Sequence, residues 1–372
     1  MAVSVVAPIT PSVLTWARQQ AAVTVPELAK KASVKPERVL DWEAGQGSPT
    51  LAKLRAIADI LKQPMALFFT PAPPEGGVQV PPDFRSAGVT TGRGLTREIR
   101  VAEERRDTFK HLAPGLVAAS AWPQWSAAAG LTPAQARARL KVTVTAVAAA
   151  KTAQEALRLW VTAVENQGIL VFQMSRINDG ECSGFCLEDE TTPVIVLNGK
   201  EAPQRRIFTL LHELGHLVDH SGGLCLLRED IDRERACNRF AENVLLPDAE
   251  VRAAIKGQAG VAAVDTVARS FQVSRAAAAV ALCRRGLVSQ QVVGDEMKRS
   301  AEAKEQASAG KGFAPPEKLK RRNLGYVYLT TVLDALDAET ISVADATYFL
   351  GAKVGLIDKL GGAGTLPPVI PT

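Results

Sequence analysis

The sequence has few aromatic residues, no long apolar run and no secretory leader pattern. Aromatic residues make up 5% of the 372 residues, so much of the 47% apolar fraction is alanine, valine and leucine. Small apolar residues of this kind favour a helix-rich protein. No stretch of about 18 apolar residues occurs, so a membrane-spanning helix is not expected. Residues 1–11 lack the basic segment and the cleavage site of a signal peptide.

Cysteine is also scarce, and its copies have no framework spacing. They are Cys182, Cys186, Cys225, Cys237 and Cys283. An odd, sparse set fits a reducing cytoplasm better than a disulfide scaffold. Two alternatives to ordinary packing thiols stay open. The first two cysteines are spaced four apart and could form half of a second metal site, and Cys237 could have a redox role.

Charge is not strongly of one sign. The 44 lysines and arginines exceed the 39 acidic residues by five, which permits nucleic-acid binding but does not indicate it. A charged fraction of 22% is ordinary for a globular protein and argues against general disorder. At roughly 100–200 residues per domain, the length allows two or three domains.

Composition divides the chain into folded regions and linkers. We predict short helices over 1–70, a proline-rich linker over 71–94, a helical connector over 95–150, an α+β domain over 151–290, a flexible linker over 291–323 and a small C-terminal helical module over 324–372. Two apolar, β-rich runs at 169–172 and 193–197 predict strands. The polar, proline-containing composition of 296–322 is the basis for the second linker.

The strongest chemical signal is the run from His212 to His216, which has the sequence His-Glu-Leu-Gly-His. On a helix, residues i and i+4 share a face, so the two imidazoles can bind one Zn²⁺ through neutral nitrogens. Glu213 can take a proton from the metal-bound water, whose pKa zinc lowers towards about 7. His220 is an alternative ligand, but it lies about 12 Å from His212 along a helix axis. A surface helix that carries these residues by chance is the other alternative.

A second segment offers further ligands. Glu234 and Asn238 stand one helical turn apart, ahead of the Leu-Leu-Pro of 245–247. A zinc site with an open fourth position needs a third ligand and a supporting neighbour, and these two residues fit those roles. The apolar run at 194–197 could supply the edge strand with which such sites bind extended peptide.

These segments resemble the ImmA/IrrE family of metallopeptidases, gluzincin-like zinc proteases of bacteria and their mobile elements. The resemblance covers about residues 150–290. It implies that His212, His216 and Glu234 bind Zn²⁺, that Glu213 is the general base and that Asn238 supports the site. Family members are known or thought to cleave XRE-type repressors. The chain departs from the family pattern at 236–237, where Ala-Cys stands and the family often has an acidic residue followed by alanine.

Residues 12–69 have the pattern of a bundle of short helices. Thr24 and Glu27 form a capping box, and Val39 and Trp42 give a following helix its buried face. About 55 residues of this region resemble the XRE/Cro helix-turn-helix family. The resemblance implies an all-α DNA-binding domain.

In that fold the first residues of the second motif helix read bases in the major groove. Arg38 can pair with guanine and Lys35 with phosphate, whereas Glu37 repels phosphate unless it accepts a hydrogen bond from cytosine. The alternative is a module for dimerisation or partner recognition. Pro26 favours that alternative, because proline has no N–H to offer a phosphate.

Two further segments add to these resemblances. The Pro-Asp-Phe-Arg of 82–85 with the charged helix after it is similar to XRE–peptidase fusions encoded beside toxin genes, although it could be a linker anchored by Phe84. Residues 261–285 are similar to a second helix-turn-helix-like unit. We expect that unit to be structural, because the four alanines at 276–279 leave almost no polar surface.

Together these features predict a helix-rich α+β protein with an all-α helix-turn-helix domain, a gluzincin-like peptidase domain and a C-terminal helical module. We expect a cytoplasmic bacterial transcriptional regulator whose zinc-dependent peptidase domain cleaves or binds a repressor or toxin partner in a stress-response or toxin-antitoxin system. The alternative is a DNA-binding antitoxin whose peptidase fold is a non-proteolytic interaction platform. The expected partners are operator DNA, a protein substrate or toxin and a second copy of the chain, and no membrane.

Overall fold

The computed structural model describes residues 6–21, 23–61, 63, 65–73, 93–126, 130–175, 182–219, 231–307 and 315–361. The chain divides into two units, Met1–Val101 and Ala102–Thr372. Most of the predicted proline-rich linker, with Phe84, lies outside the described residues, as do His220 and Cys225. None of the described helices is both long and apolar enough to cross a lipid bilayer.

The first unit is built from short helices around one apolar core. They are α1 (Pro11–Gln20), α2 (Val25–Ala32), α3 (Pro36–Glu43) and α4 (Leu51–Leu61), followed by a 3-10 helix at Met65–Phe69. The predicted capping box is present, because the Glu27 carboxylate accepts a hydrogen bond from the Thr24 backbone N–H at 3.0 Å. Val39 and Trp42 are buried as predicted.

Arg18 fixes the third helix to the first. Its guanidinium donates two hydrogen bonds to the Glu43 carboxylate, at 2.6 and 2.9 Å, and a third to the Val23 carbonyl at 3.2 Å. Paired bonds of this kind set orientation as well as distance. The end of α3 is therefore held in place, while the start of α3 stays exposed to solvent.

A series of helices leads to the sheet of the second unit. They are α5 (Arg93–Leu112), which contains the chain position where the first unit ends and the second begins, α6 (Pro114–Ala118), α7 (Trp122–Ser126), α8 (Pro133–Leu140), α9 (Val144–Ala149) and α10 (Ala153–Glu165). Thr132 and Thr152 cap α8 and α10 through their side-chain oxygens, as the sequence predicts.

The sheet has three short, fully buried strands. They are β1 (Leu170–Met174), β2 (Gly184–Leu187) and β3 (Val194–Asn198), in the spatial order β1-β3-β2. β3 runs parallel to β1 and antiparallel to β2. The prediction of strands at 169–172 and 193–197 is confirmed, but the prediction that 194–197 is an edge strand is wrong. β2 pairs with the outer side of β3, so β2 takes the edge.

The helices after the sheet carry most of the second unit's core. They are α11 (Pro203–Val218), α12 (Ile231–Leu245), α13 (Asp248–Ile255), α14 (Gly260–Phe271), α15 (Arg275–Arg284), α16 (Gln290–Ala307), α17 (Pro316–Leu324), α18 (Tyr326–Asp337), α19 (Val343–Leu350) and α20 (Val354–Gly361). α11 packs against the sheet on one side and α12 on the other. This places α11 at the centre of the second unit.

The region expected to be a flexible linker, 291–323, differs from that expectation. α16 and α17 occupy most of it. The glutamate, lysine, glutamine and alanine residues that made it look like a linker are also strong helix formers. Tertiary contacts stabilise α16, because Arg275 donates hydrogen bonds to both oxygens of the buried Glu296 carboxylate at 2.8 and 2.9 Å.

The C-terminal module is helical, as predicted, and it packs against α10 and β1. Gly325 begins α18 with a φ of +70°, and a Cβ there would lie 2.6 Å from the Glu165 Oε1 atom and against the Val171 carbonyl oxygen. That carboxylate accepts a hydrogen bond from the Tyr326 backbone N–H at 3.1 Å. Burial raises the pKa of Glu165 to about 8. A buried acid therefore caps the helix that joins this module to the sheet.

Candidate metal centre

Helix α11 presents two histidines beside its apolar face. Its buried side consists of Ile207, Leu210, Leu211, Leu214 and Leu217. Pro203 begins the helix at the first position, where a missing N–H costs nothing. A Cβ at Gly215 would lie 3.2 Å from the Phe240 ring and 3.5 Å from Cys237. The glycine thus allows α11 and α12 to approach closely, which brings the third candidate ligand to the histidines.

The three predicted ligands point at one another. The Nε2 atoms of His212 and His216 are 3.1 Å apart, and they lie 3.4 and 3.3 Å from the two carboxylate oxygens of Glu234. Ligands about 2.05 Å from a tetrahedral zinc ion are about 3.3 Å from one another. The ligand atoms all lie within 4.8 Å of one another. Two imidazoles and a carboxylate at these separations fit a zinc ion with one position left open.

The charges of the cluster suit a cation. Hydrogen bonds with His212 and His216 lower the pKa of Glu234 to about 2, so this carboxylate is negative at neutral pH. Burial opposes protonation of the His212 ring, but the hydrogen bond with Glu234 and the charge of Glu213 outweigh it and raise the pKa of His212. The negative Glu234 carboxylate therefore faces the point on which both imidazoles converge, and the charge of Glu213 acts on the same site.

Glu213 is buried next to the edge strand of the sheet. Its side chain is 2% exposed, and a Cβ at Gly184 in β2 would lie 3.5 Å from its Oε1 atom. Burial, and then the neighbouring Glu213 carboxylate, raise the pKa of Cys186 far above its usual value. The predicted general base thus sits between the candidate metal centre and β2, where it interacts with a neutral thiol.

The other predicted residues of this region occupy varied positions. Asn238 is exposed on α12 and interacts with the His212 ring, whose protonated form it favours. Cys182 and Cys186 are buried free thiols, and among the described residues His212, His216 and Glu234 form the one group of three or more ligand side chains close enough to share a metal ion. Burial raises the pKa of Cys237 to about 12, which suits a packing residue better than a redox thiol.

The residues predicted to contact DNA lie together in the first unit. Lys35 precedes α3, Glu37 and Arg38 lie in its first turn, and all three are exposed. The Arg38 guanidinium is 3.6 Å from the Asp41 carboxylate and 5.8 Å from the centroid of the Trp42 ring. These contacts hold the arginine over the helix surface and leave about half of its side chain exposed.

Two segments of the chain match known families. Residues 14–68 match a family model described as Helix-turn-helix, and residues 164–282 match a peptidase family model described as the IrrE N-terminal-like domain. The chain therefore joins an XRE-type helix-turn-helix domain to an IrrE-type peptidase domain, which confirms the resemblances and the helix-rich α+β fold class. No curated protein matches the chain.

Strand β2 is the feature of the site that sequence reasoning missed. Its four residues, Gly-Phe-Cys-Leu, are a short apolar run bounded by serine on one side and acidic residues on the other. That pattern indicates a strand, although Cys182 and Cys186 also have a spacing that could suit a metal-ligand pair. The strand matters because it borders Glu213.

Proposed function

We propose that this protein is a bacterial transcriptional regulator whose second unit is a zinc-dependent endopeptidase acting on a repressor or toxin partner. The observation that carries the proposal is the convergence of His212, His216 and Glu234 at tetrahedral separations, with Glu213 next to them. A helix with this motif in an unrelated fold would not bring a carboxylate from a second helix to the same point. The IrrE-type family match supports the same function.

The residues of the centre have distinct roles in this proposal. Two neutral imidazoles and the anionic Glu234 would hold the zinc ion. When bound, zinc would polarise a peptide carbonyl and acidify a water molecule. Glu213 would take the proton from that water and pass it to the leaving amine. Glu213 is buried, and the effective dielectric constant around it is lower than that of water. This environment strengthens each of these electrostatic interactions.

Strand β2 offers a way to orient the substrate. Within the described residues it pairs with β3 alone, which makes it the edge strand of the described sheet. An extended peptide can add to such an edge as a further strand. Because Glu213 lies beside β2, a peptide bound there would run past the candidate metal centre.

We also propose that the first unit binds an inverted-repeat operator as a homodimer. Lys35, Glu37 and Arg38 would lie at the major groove, with half-sites about one helical turn apart. Gel shifts on the protein's own upstream region test this at several salt concentrations. We expect salt-dependent preference over random DNA of equal length. An absence of preference at every salt concentration would refute DNA recognition.

One observation favours a second candidate function, a non-proteolytic platform. Glu213 interacts with the buried thiol of Cys186, and a carboxylate engaged in this way is less available as a base. In that case the metal would have a structural role, and the peptidase fold would bind a toxin or repressor without cleaving it. The DNA-binding function would be the same in both cases.

Metal analysis and a cleavage assay distinguish these candidates. The wild-type chain should bind about one zinc ion, Glu213→Gln should keep it and His216→Ala should lose it. His111→Ala is the matched control, because His111 is an exposed histidine outside the cluster. A proteome-derived peptide library, analysed by mass spectrometry, should be cleaved by the wild type and not by Glu213→Gln. Zinc without any cleavage would support the platform, and a zinc-free wild type would refute both uses of the metal.

A further inference from the structure

A groove of about 780 Å³ borders the candidate metal centre and runs between α12 and α15. Two residues connect it with the centre. Phe208, one turn before His212, stacks against that ring with centroids 6.3 Å apart. Asn238 lies one turn after Glu234, on the same helix. Both Phe208 and Asn238 line the groove, so a chain bound at the metal centre can continue into it.

The floor of the groove is apolar, and its small residues keep it open. Leu245, Leu246 and Val273 are buried there, and Ala276 and Ala277 line it from α15. A volume of this size is in the range of pockets that enclose most of a bound ligand's surface, about 300–1,000 Å³. The floor therefore suits hydrophobic side chains.

The rim of the groove is positively charged. Arg235, Arg239 and Arg284 line it, and Glu242 is the one acidic residue among the lining residues that the structure describes. Glu242 accepts a hydrogen bond from Arg284 and another from Arg285 at 2.9 Å, so its charge is compensated. Arg239 is exposed and has no ion-pair partner within the described part of the chain. Arg235 is paired with the Asp232 carboxylate at 3.3 Å, so Arg239 is the uncompensated positive charge that an acidic group bound at the rim would meet.

We propose that this groove binds a polypeptide segment in which a hydrophobic residue is flanked by acidic residues, adjacent to the peptide bond presented to the metal centre. The proposal deepens the proposed peptidase function and rests on it, because that function places the bound polypeptide across the candidate metal centre and into the groove. Continuity with the centre favours a polypeptide as the occupant. Charge complementarity specifies acidic flanks, because arginines at a rim attract carboxylates and repel lysines.

Binding can be measured separately from cleavage. The probes are two fluorescent peptide pools with the same randomised hydrophobic positions, flanked by glutamates in one pool and by lysines in the other. Zinc-loaded full-length Glu213→Gln prevents turnover during the measurement. We expect the glutamate pool to bind about tenfold more tightly at low salt, and the difference to shrink as salt screens the charges.

Two further substitutions, made in the Glu213→Gln chain, assign the effect to the groove. Arg239→Glu should abolish the preference for the glutamate pool. The control Arg269→Glu makes the same charge change at an exposed arginine of α14 outside the groove lining, and it should preserve the preference. Ala277→Trp, at an exposed position of the floor, should weaken binding of both pools because it fills the groove. Equal binding of the two pools, or equal effects of the two arginine substitutions, would overturn the proposal.

The cleavage sites in a peptide library distinguish this proposal from the peptidase function. Wild-type digestion of the peptide library should give sites enriched in acidic residues beside a hydrophobic residue, on one side of the cleaved bond. Cleavage without that enrichment would overturn the groove proposal and leave the peptidase function standing. Preferential binding of the glutamate pool through Arg239 without any cleavage would support the groove and refute the peptidase.

Discussion

Two helix pairs in this chain are connected by the same type of turn but present different surfaces. α2 joins α3 through 33–35, and α14 joins α15 through 272–274. The first residue of each turn is left-handed, with φ of 53° and 52°. In each turn the valine N–H donates to a carbonyl five residues earlier, to Ala29 at 2.9 Å and to Ala268 at 3.1 Å. This hydrogen bond is typical of a helix end closed by a left-handed residue.

The second helix of each pair is where the two regions diverge. Arg38 is the third residue of α3, and Ala277 is the third residue of α15. α3 exposes charged side chains in its first turn, whereas the corresponding alanines of α15 line the groove beside the metal centre. The turn therefore fixes the backbone of each pair, and the first turn of the following helix decides what the pair can bind.

The largest expected difference between the pairs lies in their cores. Phe271 ends α14 and is 1% exposed, whereas Ala32 ends α2. Phe271→Ala should lower the free energy of unfolding by about 3–5 kcal/mol, because it leaves a cavity in the core. The α2–α3 pair has the small Ala32 at the matching position and no such side chain to lose. Urea unfolding of the full chain measures this. Phe69→Ala, at a phenylalanine 42% exposed in the first unit, is the control and should cost under about 1 kcal/mol. Equal losses would contradict the role given to Phe271.

A smaller effect should follow from exchanging the two surfaces. Arg38→Ala should weaken operator binding by about 1–3 kcal/mol if the arginine reads a guanine. Ala277→Arg places the same side chain at the corresponding position of α15, and it should leave operator affinity unchanged at matched salt. Fluorescence anisotropy with operator and random DNA measures both. A gain of operator specificity in Ala277→Arg would show that the second pair can also bind DNA.

The smallest expected effect concerns the left-handed residues themselves. Ser33→Gly should stabilise the first pair by about 0.5 kcal/mol, because glycine adopts a positive φ without strain. The gain is small because glycine loses more chain entropy on folding, which offsets part of the relieved strain. Gln272→Gly should gain less, since the Gln272 amide donates a hydrogen bond to the Ala150 carbonyl at 3.3 Å. Thermal unfolding of the two variants compares them. A larger gain for Gln272→Gly would mean that this hydrogen bond contributes nothing.

The parts of the molecule that local patterns encode were predictable from the sequence. The spacing of His212 and His216 places both on one helix face, and a second helix with Glu234 follows after a short interval. Capping residues gave the starts of α2, α8 and α10. Such features depend on residues a few positions apart, so one sequence is enough to show them.

The features missed depend on contacts between distant residues. β2 has only a short apolar run as its local strand signal, and its place in the sheet depends on pairing with β3. α16 is polar in sequence, yet its Glu296 is buried against Arg275 of another helix. The local patterns of β2 and of 291–307 were ambiguous, and tertiary contacts decided the edge position of the one and the helical structure of the other.

The buried Glu165 carboxyl makes the joint between the C-terminal helices and the sheet sensitive to alkali. Its pKa is about 8 in the folded protein, against about 4.3 in an unfolded chain. Between these values the folded protein holds a proton that the unfolded chain releases, so this group's contribution makes stability fall as pH rises through that range. Acid acts in the opposite sense on the candidate metal centre, since histidines bind zinc only when neutral. We expect the melting temperature of the wild type to fall between pH 6 and pH 8.5, and that of Glu165→Gln to fall less. That result would assign the loss of stability at high pH to this one side chain.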